Sequence, residues 1–139
     1  MQRGRSQSQK CASPTRVVGI GTDVVEVARV AKSLARTHGF AESVFTLAER
    51  DYCRAGARPE EHFAARFAAK EAFLKAVGHG ILEGIPLNQI EVVREGDGPP
   101  SLKLGPAAAR ALEEKGARDA LVSLSHSGGC AVAFVLVQG

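Results

Sequence analysis

The sequence predicts a single α+β domain in which a small antiparallel sheet packs against one long motif helix and several shorter helices. An alanine-rich helical pattern extends from Pro59 to Val77, with proline in its first turn and Gly78 just beyond its end. Two β-prone segments, Leu121 to Ser125 and Cys130 to Val137, are joined by a glycine-containing turn. The length of 139 residues fits one domain with a substantial core.

Further patterns place other elements before the long helix. Val17 to Asp23 has the composition of a short buried strand, and apolar residues then recur at helical spacing from Val24 to about Thr37. Thr46 to Glu49 has the form of a capping box. We therefore expect a second, shorter helix that begins there and ends at Gly56.

The second half of the chain is predicted to be richer in strands. Ile90 to Val93 and Ser101 to Leu104 flank a glycine- and proline-rich turn, which predicts a hairpin. A helix from Pro106 to Lys115 should follow. The final strand, Cys130 to Val137, is apolar on both of its faces, so both faces should be covered, and subunit packing could provide that cover.

Composition and charge exclude several classes of function. Residues 1–15 are polar and basic, which predicts a disordered N-terminal extension before a domain at residues 16–139. No stretch is apolar enough for a signal sequence or a membrane span, so we expect a cytoplasmic protein that does not bind membranes. A net charge of +3 and few aromatic residues argue against nucleic acid as the main partner. The cysteines have no zinc-site spacing.

Two carboxylates stand out as candidates for chemistry. Glu71 and Lys75 are one turn apart on the long helix, about 6 Å along its axis, so both could face one bound phosphate or metal. Asp23 ends the first predicted strand. Together the two acids suggest a divalent cation. Taken singly, Glu71 and Lys75 could be an ordinary surface pair, and Asp23 could be a helix N-cap.

Three segments of the chain carry a family resemblance. They are Gly19 to Val27, Arg66 to Ala76 and Ser123 to His126, with the sequences GIGTDVVEV, RFAAKEAFLKA and SLSH. These segments resemble the three signatures of the holo-acyl-carrier-protein synthases, the small 4′-phosphopantetheinyl transferases. The resemblance extends from about Val17 to the C-terminus. Its first two motifs are highly specific in this order, whereas the third alone is weak.

The resemblance implies an activity and a cofactor. Members of this family transfer the 4′-phosphopantetheine arm of coenzyme A to a serine of an apo acyl carrier protein, and adenosine 3′,5′-bisphosphate leaves. By resemblance Asp23 and Glu71 hold Mg²⁺, and Lys75 neutralises charge on a phosphate oxygen. Removal of the serine proton is better assigned to Glu71 acting through a water on the metal, and Asp23 and solvent stay open as alternatives.

Four basic residues are implied as ligands of coenzyme A. The resemblance places Arg66 and Lys70 near the nucleotide and its phosphates, His126 near the phosphates, and Arg58 near the 3′-phosphate. Each has a simpler alternative. Arg66 and Lys70 could form a solvated basic face, His126 could bond to backbone in its turn, and Arg58 could be an exposed loop residue.

The resemblance also implies partners. Arg29, Lys32 and Arg36 recur at spacings of three and four on the first helix, and this basic ridge could meet the acidic helix of an acyl carrier protein or simply aid solubility. The family's homotrimer has its active sites between subunits. In that arrangement we expect Asp23 and His126 to come from one subunit, and Glu71 and Lys75 from another.

Two other functions remain open on the sequence. A regulatory module that binds coenzyme A or a nucleotide without turnover would keep the phosphate-binding cations and could dispense with Asp23 and Glu71. A nucleic-acid-binding domain would use the basic first helix and the N-terminal extension. The presence of both acids disfavours the first of these alternatives.

Overall fold

The helices and strands are those of a computed structural model that describes residues 14–79 and 84–139. In chain order the elements are β1 (Val17–Glu26), α1 (Val27–Arg36), α2 (Phe40–Val44), α3 (Leu47–Ala55), α4 (Pro59–Ala76), a 3₁₀ turn (Leu87–Gln89), β2 (Ile90–Val93), β3 (Ser101–Leu104), α5 (Pro106–Glu114), β4 (Asp119–Ser127) and β5 (Cys130–Gln138). The predicted N-terminal extension lies almost entirely outside the described residues.

Two antiparallel sheets are present, where the sequence predicts one small antiparallel sheet. The larger has the strand order β1-β5-β4, so the last strand lies in the middle and pairs with both the first strand and β4. The hairpin of β2 and β3 forms the smaller sheet. The α+β fold class predicted from the sequence is confirmed.

The long helix α4 lies across the larger sheet and is buried on nearly all sides. Its buried positions are largely alanines, and Phe63, Phe73 and Leu74 supply the large apolar side chains. The alternate residues of β5 that face α4, from Ala131 to Val137, are fully buried. Small side chains therefore let the helix and the strands approach closely while the phenylalanines fill the remaining core.

Two glycines of β1 set the distance between the strand and α4. A Cβ atom added at Gly19 would lie 2.1 Å from the carbonyl oxygen of Ala76, and one at Gly21 would lie 2.0 Å from that of Ala72. No real Cβ contact is this short, so only glycine fits at either position. The close approach brings the end of β1 beside the second half of α4.

The structure corrects the predicted boundary between the first strand and the first helix. β1 continues through Asp23 as far as Glu26, which pairs with Cys130, and α1 begins only at Val27. The β-branched Val24 and Val25 favour the strand over a helix start. Asp23 is therefore a strand residue and not an N-cap. The predicted capping box at Thr46 and Glu49 is present with both of its hydrogen bonds.

The second face of the larger sheet is open in the described chain. Ile20 and Val24 of β1, Leu121 of β4 and Phe134 of β5 are between 42% and 63% exposed. The sequence predicts that this apolar face is covered, and no part of the described chain covers it. Among the described residues, no helix is long and apolar enough to cross a membrane.

Replacing Gly21 by alanine should destabilise the fold strongly. The added methyl group would overlap the Ala72 carbonyl, and helix and strand would have to separate to relieve the clash. We expect the free energy of unfolding, measured by urea denaturation, to fall by roughly 2 kcal/mol or more. Gly98→Ala is the control, because its Cβ would meet a single carbonyl oxygen at 3.0 Å in the hairpin turn. Equal losses in the two variants would contradict the proposed close packing.

Candidate functional site

Charged side chains lie close together at one end of the interface between β1 and α4. The Nζ atom of Lys75 donates hydrogen bonds to the backbone oxygen of Thr22 at 3.0 Å and to Oδ1 of Asp23 at 3.1 Å. Half of the Lys75 side chain is exposed, whereas the Asp23 side chain is largely shielded. Lys75 therefore joins the helix to the strand and still presents its charge to solvent.

Glu71 completes this group, called here the carboxylate cluster (Asp23, Glu71 and Lys75). Burial, followed by repulsion from the nearby Asp23, raises the pKa of Glu71 above its usual value, and Lys75 opposes the change. The Oε1 atom of Glu71 is buried and has no hydrogen-bond partner in the described chain. A buried carboxylate oxygen normally accepts a hydrogen bond or binds a metal ion. The unpaired Oε1 of Glu71 therefore marks a position that a ligand or an ion would fill.

A cavity of about 250 Å³ opens at the carboxylate cluster. Its lining combines the two acids with one basic residue and several apolar side chains: Asp23, Val24, Val25, Arg29, Val30, Ser33, Phe40, Phe67 and Glu71. The two carboxylates share this cavity within one chain. The prediction that Asp23 and Glu71 come from different subunits is therefore wrong, because the glycines of β1 bring Asp23 onto the same protomer's α4.

The donor set at the cavity fits a hard divalent cation. Mg²⁺ prefers oxygen ligands and commonly combines one or two carboxylates with substrate phosphate and water. Asp23 and Glu71 supply such oxygens, and one of them is unpaired. Within residues 14–79 and 84–139 no group of three or more His, Cys, Asp or Glu side chains forms a metal site, so the remaining ligands would have to come from substrate and water.

A second group, the basic cluster (Arg58, Glu61, His62, Arg66 and His126), lies around the first half of α4. Nη1 of the exposed Arg58 is 3.3 Å from Oε1 of Glu61, and Nδ1 of His126 is 3.6 Å from Oε2 of the same carboxylate. Burial, and then the charges of Arg66 and His126, lower the pKa of His62. Arg58 and His126 thus contact one carboxylate, whose charge also acts on His62.

Arg66 lies beneath this cluster and is only 3% exposed. Its guanidinium carbon is 4.2 Å from the centre of the Tyr52 ring, and Nη1 donates a long hydrogen bond of 3.4 Å to the His62 carbonyl. The buried Nε atom has no hydrogen-bond partner in the described chain. Arg66 is therefore not part of a solvated basic face, and it retains donor capacity that the described residues leave unused.

Lys70 has a different role from the one predicted. The side chain is fully buried, and its ammonium donates to Oε1 of Glu49 at 2.7 Å and to the backbone oxygens of Leu87 and Ile90. Glu49 in turn accepts from the backbone N–H of Val92. All three ammonium hydrogens are used, so Lys70 has no donor left for a phosphate. It holds α4 against α3 and β2, and we remove it from the set of coenzyme A ligands.

The other predicted residues lie at separate places on the chain. His126 is the second-to-last residue of β4 and lies opposite Ala131 of β5, whereas Asp23 of β1 lies opposite Ala133. One whole strand thus separates His126 from Asp23. Arg29, Lys32 and Arg36 are exposed on α1, and Arg29 also borders the cavity of the carboxylate cluster.

Sequence reasoning missed Tyr52, Glu61 and His62. Glu61 is an acid in the first turn of α4, and nothing in its spacing points to His126, which is 65 positions away in the chain. His62, however, lies on the same helical face as Arg58 and Arg66, at spacings of four. That i, i+4, i+8 pattern was the one available signal.

Comparison with known proteins identifies the family. Residues 19–133 match the family model of the 4′-phosphopantetheinyl transferase superfamily. The chain belongs to this superfamily. The match covers β1, α4 and β4, and so includes every residue of the carboxylate and basic clusters.

Relatives within the superfamily are similar over nearly their full length. A holo-[acyl-carrier-protein] synthase of Cytophaga hutchinsonii is 48% identical over 122 residues, which are 86% of this chain and 96% of the relative. The crystal structure of the Neisseria meningitidis synthase has a TM-score of 0.79 and 34% identity, covering 89% of this chain and 100% of that one. The Bacillus anthracis synthase was solved in complex with coenzyme A (3′,5′-ADP). It has a TM-score of 0.72 and 36% identity, covering 88% of this chain and 97% of that one.

The buried role of Lys70 in this transferase can be tested by mutation. Lys70→Met should lower the free energy of unfolding by roughly 3–5 kcal/mol, because it leaves the Glu49 carboxylate buried without its counter-charge. Lys70→Met combined with Glu49→Gln should recover part of this loss, because the second change removes the unpaired charge. Urea denaturation of both variants and the wild type measures the difference. A double variant less stable than Lys70→Met would contradict this account.

Proposed function

We propose that this chain is a holo-[acyl-carrier-protein] synthase. It transfers the 4′-phosphopantetheine group from coenzyme A to a serine of an apo acyl carrier protein and releases adenosine 3′,5′-bisphosphate. The observation that carries the proposal is the placement of Asp23 and Glu71 at one cavity, with Lys75 paired to Asp23, in a chain whose relatives bear this name. A regulatory module that only binds coenzyme A would have no use for two acids beside a lysine.

The carboxylate cluster supports Mg²⁺ as the cofactor. Asp23 and Glu71 would hold the ion, and when bound it would offset negative charge on the pyrophosphate of coenzyme A. Lys75 brings a further positive charge through its ion pair with Asp23, and this charge could offset the one that develops on the leaving phosphate. Phosphoryl transfer of this kind depends on positioning and charge more than on a covalent intermediate.

Glu71 is the group best suited to take the proton of the incoming serine. Its buried Oε1 has no hydrogen-bond partner in the described chain, and the residue lines the cavity, so the carboxylate has an acceptor site to offer. Lys75 is unsuited to this role, since as an ammonium it has no acceptor site. The cavity wall of Val24, Val25, Phe40 and Phe67 would limit the access of water that could compete with the serine.

The distance between the two clusters supports an active site shared by two protomers. Glu61 and Glu71 are ten positions apart on α4, which corresponds to roughly 15 Å along its axis. In coenzyme A the 3′-phosphate and the pyrophosphate are joined through a single ribose, which is a much shorter span. One molecule with its pyrophosphate at Glu71 would therefore need the basic cluster of a neighbouring protomer for its 3′-phosphate.

The open face of the larger sheet is suited to hold such neighbours together. Ile20, Val24, Leu121 and Phe134 form an exposed apolar surface on β1, β5 and β4. Sheet faces of this kind are normally covered, and a closed ring of identical protomers covers one on every chain. We infer a homotrimer in which each site combines the carboxylate cluster of one protomer with Arg58, Arg66 and His126 of the next.

The basic ridge on α1 supports the assignment of the carrier protein as a partner. Arg29, Lys32 and Arg36 are exposed on this helix, and Arg29 reaches the rim of the cavity. An acidic helix lying along the ridge would place a serine at its end near Glu71. Residence in the cytoplasm stays a prediction, as does the absence of nucleic acid and membrane partners.

The activity should depend on both carboxylates. Incubation of an apo carrier protein with the enzyme, coenzyme A and Mg²⁺ should add one phosphopantetheine mass, as measured by mass spectrometry. Asp23→Asn and Glu71→Gln should each lower the rate by at least roughly a hundredfold while the urea midpoint changes little. Glu60→Gln is the control, because this acid lies on the same helix and is exposed. No mass gain with several carriers would refute the function, and an unaltered rate in either variant would remove that residue from the site.

The shared site can be tested by mixing inactive variants. Glu71→Gln damages the carboxylate cluster, and the double variant Arg58→Ala with His126→Ala damages the basic cluster. Coexpressed in equal amounts, they should recover up to about a quarter of wild-type activity, since random assembly restores that share of sites. Coexpression of Glu71→Gln with Asp23→Asn should recover none. A site built within one chain would give no recovery in either mixture.

The exposed sheet face is tested by its effect on assembly. Phe134→Lys should shift the mass measured by light scattering from trimer to monomer, because a charge at the centre of the apolar face disfavours its burial. A trimer that persists unchanged would contradict the proposed contact surface.

A further inference from the structure

The charge of Arg66 is stabilised in an unusual way. A buried arginine is normally paired with a carboxylate or bonded through most of its donors. In the described part of the chain Arg66 has no ion pair with a carboxylate, its Nε is unbonded, and its one hydrogen bond is the long contact to His62. The Tyr52 ring lies 4.2 Å from the guanidinium carbon and supplies a cation–π contact in place of an ion pair.

The aromatic contact also fixes geometry. Tyr52 projects from α3, and its ring meets the Arg66 guanidinium at stacking distance and the His62 ring edge to face, with centroids 5.5 Å apart. The ring thus touches two neighbouring members of the basic cluster that lie one turn apart on α4. A guanidinium on an aromatic face is held in orientation while its outer N–H groups stay free for a ligand.

A small cavity adjoins the stacked pair. It has a volume of about 120 Å³, and Tyr52, Arg66, Glu91 and Arg94 are among the residues that line it. Arg66 therefore borders a cavity, although its Nε atom is itself buried. The lining has two cations, Arg66 and Arg94, and one carboxylate, Glu91, so an anionic group that entered would meet a net positive charge.

We propose that Tyr52 is a positioning residue for coenzyme A: its ring holds the Arg66 guanidinium in the orientation that binds the 3′-phosphate. This inference rests on the proposed function, in which the basic cluster receives that phosphate. Tyr52 itself touches no substrate. The ring is what matters, because the described contacts of Tyr52 with Arg66 and His62 are made by its aromatic face and edge and not by its hydroxyl group.

The test compares two substrates that differ by one phosphate. In Tyr52→Leu the KM for coenzyme A should rise roughly fivefold to tenfold, with kcat and the KM for the carrier protein within about twofold of wild type. With dephospho-coenzyme A, which lacks the 3′-phosphate, the variant and the wild type should have the same KM. Tyr52→Phe keeps the ring and should keep the wild-type KM for coenzyme A.

A double-mutant cycle separates positioning from general damage to the fold. Arg66→Lys keeps the charge but loses the planar stack, so Tyr52→Leu should have no further effect on the KM for coenzyme A in that background. If Tyr52→Leu is too unstable to assay, Tyr52→Met takes its place as a second apolar replacement without a ring.

Each outcome decides for or against the inference. The inference would be overturned if Tyr52→Leu raised the KM equally for coenzyme A and dephospho-coenzyme A, or did not raise the KM for coenzyme A. It would also be overturned if Tyr52→Phe raised the KM for coenzyme A as much as Tyr52→Leu. These results are distinguishable from failure of the proposed function, because in that case the wild-type protein itself would not modify a carrier protein. Calorimetric binding of coenzyme A and dephospho-coenzyme A to wild type and Tyr52→Leu gives a readout that does not require turnover.

Discussion

The contact between β1 and α4 is the constraint on which the site depends. Without side chains at Gly19 and Gly21, the strand backbone lies directly against the carbonyl groups of Ala76 and Ala72. At this distance Lys75 can reach both the Thr22 carbonyl and the Asp23 carboxylate from the helix. The charged cluster is therefore a product of backbone packing, and any residue that widens this contact also changes the distance between the two carboxylates.

Because α4 is buried on nearly all sides, its polar residues differ in whether their hydrogen-bonding groups find partners. Lys70 points toward α3 and β2, where Glu49 and two carbonyl groups use all of its hydrogens. Glu71, one position further, points toward the cavity and keeps an unbonded oxygen. A complete set of partners makes the first residue structural, and an incomplete set makes the second available for chemistry.

Much of this arrangement could be predicted from the sequence. The long helix, the capping box at Thr46, the hairpin and the closing strands follow from local patterns and turn residues, and the motifs identified Asp23, Glu71 and Lys75. The roles of Lys70 and Arg66 could not be predicted, because i, i+4 spacing shows that two residues share a helical face but not what packs against it. The strand character of Val24 to Glu26 also depended on pairing with β5, which lies more than 100 positions away.

Glu61 gives the basic cluster an internal counterion. Its Oε1 lies 3.3 Å from Nη1 of Arg58 and its Oε2 lies 3.6 Å from Nδ1 of His126, so one carboxylate contacts both basic side chains. A doubly charged phosphate would compete with this carboxylate better than a singly charged anion such as chloride or acetate, which carries no more charge than Glu61 does. On the proposed function, Glu61 would therefore favour phosphate monoesters over monovalent anions as ligands of the cluster.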